Sequence, residues 1–244
     1  MKKKIDIRQL SLEQLTDEIV KLGEKPYRAK QVHQWLWKKR AIDFDQMTNL
    51  SKSFRKLIEN NFIINALVLS EAQISSDKTI KNAFLLADNS VIEGVLIPTK
   101  KRMTACVSVQ VGCSLDCAFC ATGKLKRIRN LNADEIYDQV VMINDQSQKE
   151  YSIPISNIVY MGMGEPLLNY KNVLLSVDRI TSEDGLGMSA KRITISTAGI
   201  HKKIIRLADD KVKFNLALSL HAANDEKRNK IMPINESNSL NSLK

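Results

Sequence analysis

The sequence is 244 residues long, with 37 Lys and Arg against 27 Asp and Glu, a formal net charge of +10, and 43% hydrophobic and 26% charged residues. This excludes a disordered or fibrous chain and allows one large α/β unit, or a small domain beside a larger one. No apolar run reaches the roughly 18–20 residues that a bilayer span requires. Arg8, Glu13 and Asp17 interrupt the basic start before any leader-like stretch. A cytoplasmic protein with no membrane partner is expected, and four cysteines are too few and too clustered for a disulfide scaffold.

In chain order, Ser11 and Gln14 form a capping-box pattern, and Leu12, Leu15, Ile19 and Leu22 follow at helical spacing until Gly23. Pro26 stands where a second helix begins, with Val32, Trp35 and Leu36 on its apolar face. Leu50, Phe54, Leu57 and Ile58 mark a third. Residues 1–62 are therefore expected to form a small helical accessory domain. It is basic, since residues 1–60 hold 14 Lys and Arg against 8 Asp and Glu.

From residue 63 the pattern turns strand-like. Segments 81–87 and 91–98 flank Asp88-Asn89-Ser90 as a hairpin, so 63–98 is expected to be a β-hairpin linker region. A strand over 104–111, a polar loop, and a helix from Ala133 with Asn132 and Glu135 as its capping pair come next. Strands over 155–161, 192–196 and 214–220 then alternate with helices over 172–180 and 202–208. This alternation implies parallel βα units with helices outside, four strands in all, in a core running from 99 to 244.

The polar loop after the first of these strands carries the sharpest signal. Cys113-Ser-Leu-Asp-Cys117-Ala-Phe-Cys120 places three cysteines at spacings of four and three residues, and in a chain of this kind that pattern reads as metal ligation. Three thiolates bound to a four-iron cluster leave one iron open to an exogenous ligand. A zinc ion completed by a His or by Cys106 is the competing reading, and three unligated thiols the bland one. Other polar or glycine-rich stretches fall at the ends of the later strands: Met161-Gly162-Met163-Gly164-Glu165-Pro166, Ser196-Thr197-Ala198-Gly199 and Ser219-Leu220-His221. In α/β folds that end of the sheet holds the binding site. Lys124, Lys126, Arg127 and Arg129 concentrate charge beside the cysteines, with no acid between Asp116 and Asp134. Such a run favours a phosphate-bearing partner, with a solvated basic surface as the alternative.

The CxxxCxxC pattern, with Phe119 before its last cysteine, is similar to the signature of radical S-adenosylmethionine enzymes. Cys106-Val-Ser-Val-Gln-Val-Gly-Cys113, Cys120-Ala-Thr-Gly, Arg129-Asn130-Leu131, the Met161–Asn169 stretch, Ser219-Leu-His-Ala222 and the helical Lys25-Pro26-Tyr27-Arg28 segment together resemble the RlmN/Cfr family of RNA methyltransferases. The resemblance runs from about residue 5 to 235. It implies a partial TIM-type (βα) barrel, here with four of six strands, behind the small helical domain. It also implies a [4Fe–4S] cluster on Cys113, Cys117 and Cys120, and S-adenosylmethionine held by Gly164, Glu165, Ser196, Ser219, Leu220 and His221. One-electron cleavage of the sulfonium would give the 5′-deoxyadenosyl radical that an unreactive adenine carbon requires. Glu93 matches the family's proton acceptor, and Cys106 matches a thiol that helps resolve a covalent RNA–protein intermediate. The implied partners are 23S rRNA, tRNA and an external flavodoxin-like electron donor, with the chain a monomer.

The family pattern also includes a later cysteine, two more βα units and a further cofactor contact, and no cysteine follows Cys120. The chain is therefore expected to be an N-terminal part, unable by itself to methylate RNA. Lys126-Arg127 replaces the Gly-Phe of many relatives. Adenine C2 is the expected target; C8 methylation and a non-catalytic iron–sulfur or zinc RNA-binding module are the alternatives.

Overall fold

The structure, a computed structural model, describes residues 4–244 and separates into two compact units, one through Ala66 together with Asp178–Met188 and one of Leu67–Val177 with Ser189–Lys244. In the first unit a short strand β1 (Ile5–Asp6) pairs in parallel with β2 (Phe62–Ile63), and α1 (Leu12–Lys21), α2 (Tyr27–Trp37) and α3 (Lys52–Asn61) lie between them in the chain. The expected capping box forms: Ser11 accepts from the Gln14 N–H, and the Gln14 side chain accepts from the Ser11 N–H. Leu15, Ile19, Val32, Leu36, Phe54 and Ile58 are buried, as the helical spacing predicts. Trp37 is buried with them.

The second unit is built on one seven-stranded sheet. Its strands are β3 (Val68–Ile74), β4 (Ile80–Leu85), β5 (Val91–Pro98), β6 (Met103–Cys106), β9 (Asn157–Tyr160), β10 (Ile193–Thr197) and β11 (Asn215–Leu218), in the order β11-β10-β9-β6-β5-β4-β3. The four expected strands, β6, β9, β10 and β11, run parallel. Segment 63–98, expected as a hairpin linker, instead supplies three antiparallel strands hydrogen-bonded directly to them through β5 and β6. The reason is continuous apolar matching: Ile80, Phe84, Ile92 and Leu96 are buried on the face where α4 (Ala133–Tyr151) lies against β5 and β6.

The remaining helices of this unit follow the parallel strands. They are α5 (Tyr170–Thr181), whose last residues from Asp178 belong to the first unit, α6 (His201–Asp209), α7 (Asp225–Ile231) and α8 (Leu240–Leu243). The strand expected over 104–111 is broken. After Cys106 the chain leaves the sheet and resumes as β7 (Gln110–Val111), paired with β8 (Arg129–Asn130). No described helix is long and apolar enough to cross a membrane.

A buried histidine makes the first unit sensitive to pH. Arg179 Nη1 lies 2.8 Å from His33 Nε2. Arginine can only donate, so the ring nitrogen accepts and His33 is neutral. Burial pushes the His33 pKa below its ordinary value, and the Arg179 charge pushes it further. The unfolded chain therefore binds a proton that the folded chain refuses, and stability present above about pH 6.5 falls as the pH drops through the lowered folded value. Denaturant unfolding at pH 7.5 and 5.5 should show this loss in the wild type and a smaller one in His33→Gln. Equal losses would contradict the assignment.

Candidate active site

The C-terminal ends of β9, β10 and β11, with the cysteine loop, enclose one cavity of about 270 Å3. Its wall contains Cys113, Cys117 and Cys120 from the loop after β7, Gly164 and Glu165 after β9, Ser196 on β10, and Ser219 and His221 after β11. Parallel strands bring these distant positions together because they point their carboxyl ends the same way. Ser196 and Ser219 hydroxyls are 3.1 Å apart. Phe119 packs on His221 with ring centroids 4.0 Å apart, closing one side of the opening.

The loop after β9 is held by the chain that left the sheet. Val107 N–H donates to the Val159 carbonyl, Gly162 N–H to the Val107 carbonyl, and both Val109 and Gln110 N–H groups to the Met163 carbonyl. The buried Ser108 hydroxyl donates to the Glu93 carbonyl at 2.5 Å and accepts from Met163 N–H at 2.8 Å. This approach needs residues without a Cβ. A Cβ on Gly162 would sit 2.8 Å from the Val107 backbone, and one on Gly164, at φ +96°, would sit 2.5 Å from the Gln110 side chain.

Glu165 follows, with its backbone N–H on Gln110 Oε1 at 2.9 Å. Its carboxylate accepts from the Leu167 N–H at 2.9 Å and the Ala198 N–H at 2.7 Å. Burial raises the Glu165 pKa, while those two N–H groups act the other way. The result is a fixed acidic group on the cavity wall, suited to holding an ammonium.

Three of the expected residues lie away from this wall. The Leu220 side chain is exposed and its carbonyl accepts from Arg228. Glu93 projects from β5 into solvent, 3.3 Å from Lys81 Nζ. Cys106 ends β6, buried between Val95 and Val159 in register, and burial pushes its thiol up to about 11.

Residues 5–64 match the family described as ribosomal RNA large subunit methyltransferase N-terminal domain, and residues 107–244 match the radical SAM superfamily. A probable dual-specificity RNA methyltransferase RlmN of Cytophaga hutchinsonii is 61% identical over 99% of this chain and 66% of its own length. The protein of the same description from Christiangramia forsetii is 58% identical over 99% of this chain and 69% of its own. The crystal structure of a radical SAM methyltransferase from Sphaerobacter thermophilus superposes with a TM-score of 0.88 at 37% identity, over 98% of this chain and 70% of that one. The chain belongs to the RlmN family of radical SAM proteins. It spans about two thirds of the length of the curated relatives it matches.

The donor set fits the cluster that membership in this superfamily implies. Among the described residues no three His, Cys, Asp or Glu side chains converge as one metal ion would require. Thiols that bind separate irons need no such convergence. Burial raises the pKa of Cys113 and Cys117, and neighbouring thiols and Glu165 add to it. A cationic metal centre on the thiolates relieves that repulsion.

Several further residues support the site, most of them within the family-like stretches. Asn169 Nδ2 donates to the carbonyls of Val109 and Leu131, tying the loop after β9 to the strand ahead of the cysteines, and Gln110 joins Glu165 to Asn130. Met232 packs under Cys113, Leu115 and Ala198. Ser108 and Gln110 stand within the family-like Cys106–Cys113 stretch, but neither that match nor their polarity in a predicted strand says what they hold.

The close approach of the two backbones gives a direct test. Gly162→Ala should lower unfolding stability by about 1–3 kcal/mol, the usual cost of overpacking a filled site. Wild-type stability in urea would show that the loop has room that the present geometry denies it.

Proposed function

We propose that this chain binds a [4Fe–4S] cluster through Cys113, Cys117 and Cys120 and S-adenosylmethionine beside it, in an enzyme that methylates C2 of adenosine in 23S rRNA and in tRNA. The observation that carries the reading is the gathering of the three thiols, Glu165, Ser196, Ser219 and His221 on one cavity at the ends of three parallel strands. The relatives' description as dual-specificity RNA methyltransferases supports the substrate class. When bound, the cluster supplies a single electron to the sulfonium, the one-electron chemistry that an adenine carbon needs. An external donor delivers that electron, and the protein acts in the cytoplasm as a monomer.

The chain's own residues then divide the work. The carboxylate of Glu165 would hold the ammonium of the amino acid portion, and the Ser196 and Ser219 hydroxyls would offer hydrogen bonds to its polar groups. Phe119 and His221 keep water from one side. Glu93 and Cys106 retain the roles of proton acceptor and resolving thiol, and Leu220 contributes through its backbone. RNA approaches over the loop after Cys120, where Lys124, Lys126 and Arg127 are exposed and Ile128 stands out at 71% exposure. Arg129 is engaged instead by Glu135 and Asp88, at 2.8 and 2.6 Å. The loop is anchored by the Cys113 N–H to the Leu125 carbonyl and the Ile128 N–H to the Val111 carbonyl, so the charge is presented on a fixed lip.

Anaerobic reconstitution followed by iron, sulfide and zinc analysis tests the cofactor. Four irons and four sulfides per chain, lost in Cys117→Ala, are expected; a preparation holding zinc alone would contradict the reading. Mass spectrometry of RNA from cells with and without the full-length gene should show 2-methyladenosine, and 8-methyladenosine would overturn the target carbon. For the lip, Lys124→Ala and Lys126→Ala together should lower the log–log salt slope of RNA binding by about 0.7–0.9 per lost phosphate contact. An unchanged slope would place the RNA elsewhere.

A further inference from the structure

Arg228 lies in a charged run of α7, Asp225-Glu-Lys-Arg-Asn-Lys230, that reads as a solvated face, yet it is wholly buried. Its Nη2 donates to the carbonyls of Ala198 at 2.5 Å and Ser219 at 3.3 Å, its Nε to the carbonyl of Leu220 at 3.1 Å, and its Nη1 to Asn235 Oδ1. Every one of these acceptors is neutral. Among the described residues no carboxylate comes within ion-pairing distance of it. The acid that most affects it is Asp225, three residues earlier, whose Oδ1 is already taken by the Leu240 N–H at 2.9 Å and Asn235 Nδ2 at 2.7 Å. A buried cation without a partner charge is costly, and its retention calls for a function.

The far end of α7 meets the cysteine loop. The Ile231 carbonyl accepts from the Ala118 N–H at 2.9 Å, and Ile231 and Cys117 pack together against Cys113, Leu115, Ala198 and Met232. The guanidinium and Cys117 thus share Ala198 as a neighbour.

We propose that Arg228 is a positioning residue that raises the reduction potential of the cluster on Cys113, Cys117 and Cys120, by fixing an unneutralised positive charge behind the Cys117 ligand. The proposal rests on the reading of the cavity as a cluster site. Reduction adds one electron, from the external donor, to the cluster iron without making or breaking a bond. A fixed cation in a low-dielectric setting favours the more negative, reduced form. The hydrogen bonds to Ala198, Ser219 and Leu220 hold that charge in place and also fix the turns after β10 and β11 that line the cavity.

The test is redox titration of the reconstituted full chain, followed by electron paramagnetic resonance, with thermal stability measured alongside. Arg228→Gln should lower the reduced-to-oxidised ratio at fixed poise about tenfold, equivalent to about 59 mV for a one-electron couple. Arg228→Lys keeps the charge and loses the fork, so it should lose thermal stability and hold the wild-type potential. Asp225→Asn keeps the acceptor of both hydrogen bonds while removing a negative charge, so it should move the potential the other way, and it serves if Arg228→Gln does not fold. A loaded Arg228→Gln at wild-type potential, equal shifts in Arg228→Gln and Arg228→Lys, or an unmoved Asp225→Asn would overturn the proposal. A wild-type chain that takes up no iron or sulfide would overturn the cluster reading itself, and this one with it.

Discussion

Two stretches of backbone, 107–110 and 161–165, lie closer together than side chains permit, and the site depends on that approach. Gly162 removes the Cβ that would strike Val107, and Gly164 removes the one that would strike Gln110. Ser108 and Gln110 then reach across to Met163 and Glu165. Through these contacts the β6 strand, which leads into the cysteine loop, is keyed to the loop that carries the acidic group. These contacts fix the cavity wall from outside it, and a fixed wall is the condition for holding a reactive group in one orientation.

The same economy of contact appears on the other side of the cavity. Glu165 accepts from the Ala198 N–H after β10, and Arg228 donates to the Ala198 carbonyl and to the Ser219 and Leu220 carbonyls after β11. Three strand ends are joined by two buried charged side chains of opposite sign, each bonded mainly to backbone. Neither charge forms an ion pair with the other, so each keeps its field for what occupies the cavity. On the proposed function, Glu165 would serve the cofactor's amine and Arg228 the cluster, different parts of the same chemistry.

Much of this was legible in the sequence where the chemistry is local. Ser11 with Gln14 and Asn132 with Glu135 announce their helix starts because capping is settled within four residues, and both capping boxes form. The cysteine spacing and the polar stretches at strand ends named most of the cavity wall. Long-range matching was not legible. Nothing local shows that β3, β4 and β5 extend the parallel sheet, because a hairpin's alternation is the same whether or not its edge finds a partner. The break between Cys106 and Gln110 is invisible for a related reason: Val107, Ser108 and Val109 keep a strand pattern, while the Val107 and Val109 N–H groups go to Val159 and Met163 and the Ser108 backbone pairs with the Gln139 side chain. Arg228 was hidden by its charged neighbours, and the exposure of Glu93 on β5 was set by pairing that only the folded sheet decides.

The central claim is that one cavity holds a four-iron cluster with a single open iron and S-adenosylmethionine on it. Mössbauer spectroscopy of the chain loaded with iron-57, before and after addition of S-adenosylmethionine, addresses this most directly. The account predicts that one iron in four changes its isomer shift while the other three keep theirs. Four irons that ignore the cofactor, or a single isolated iron, would contradict it.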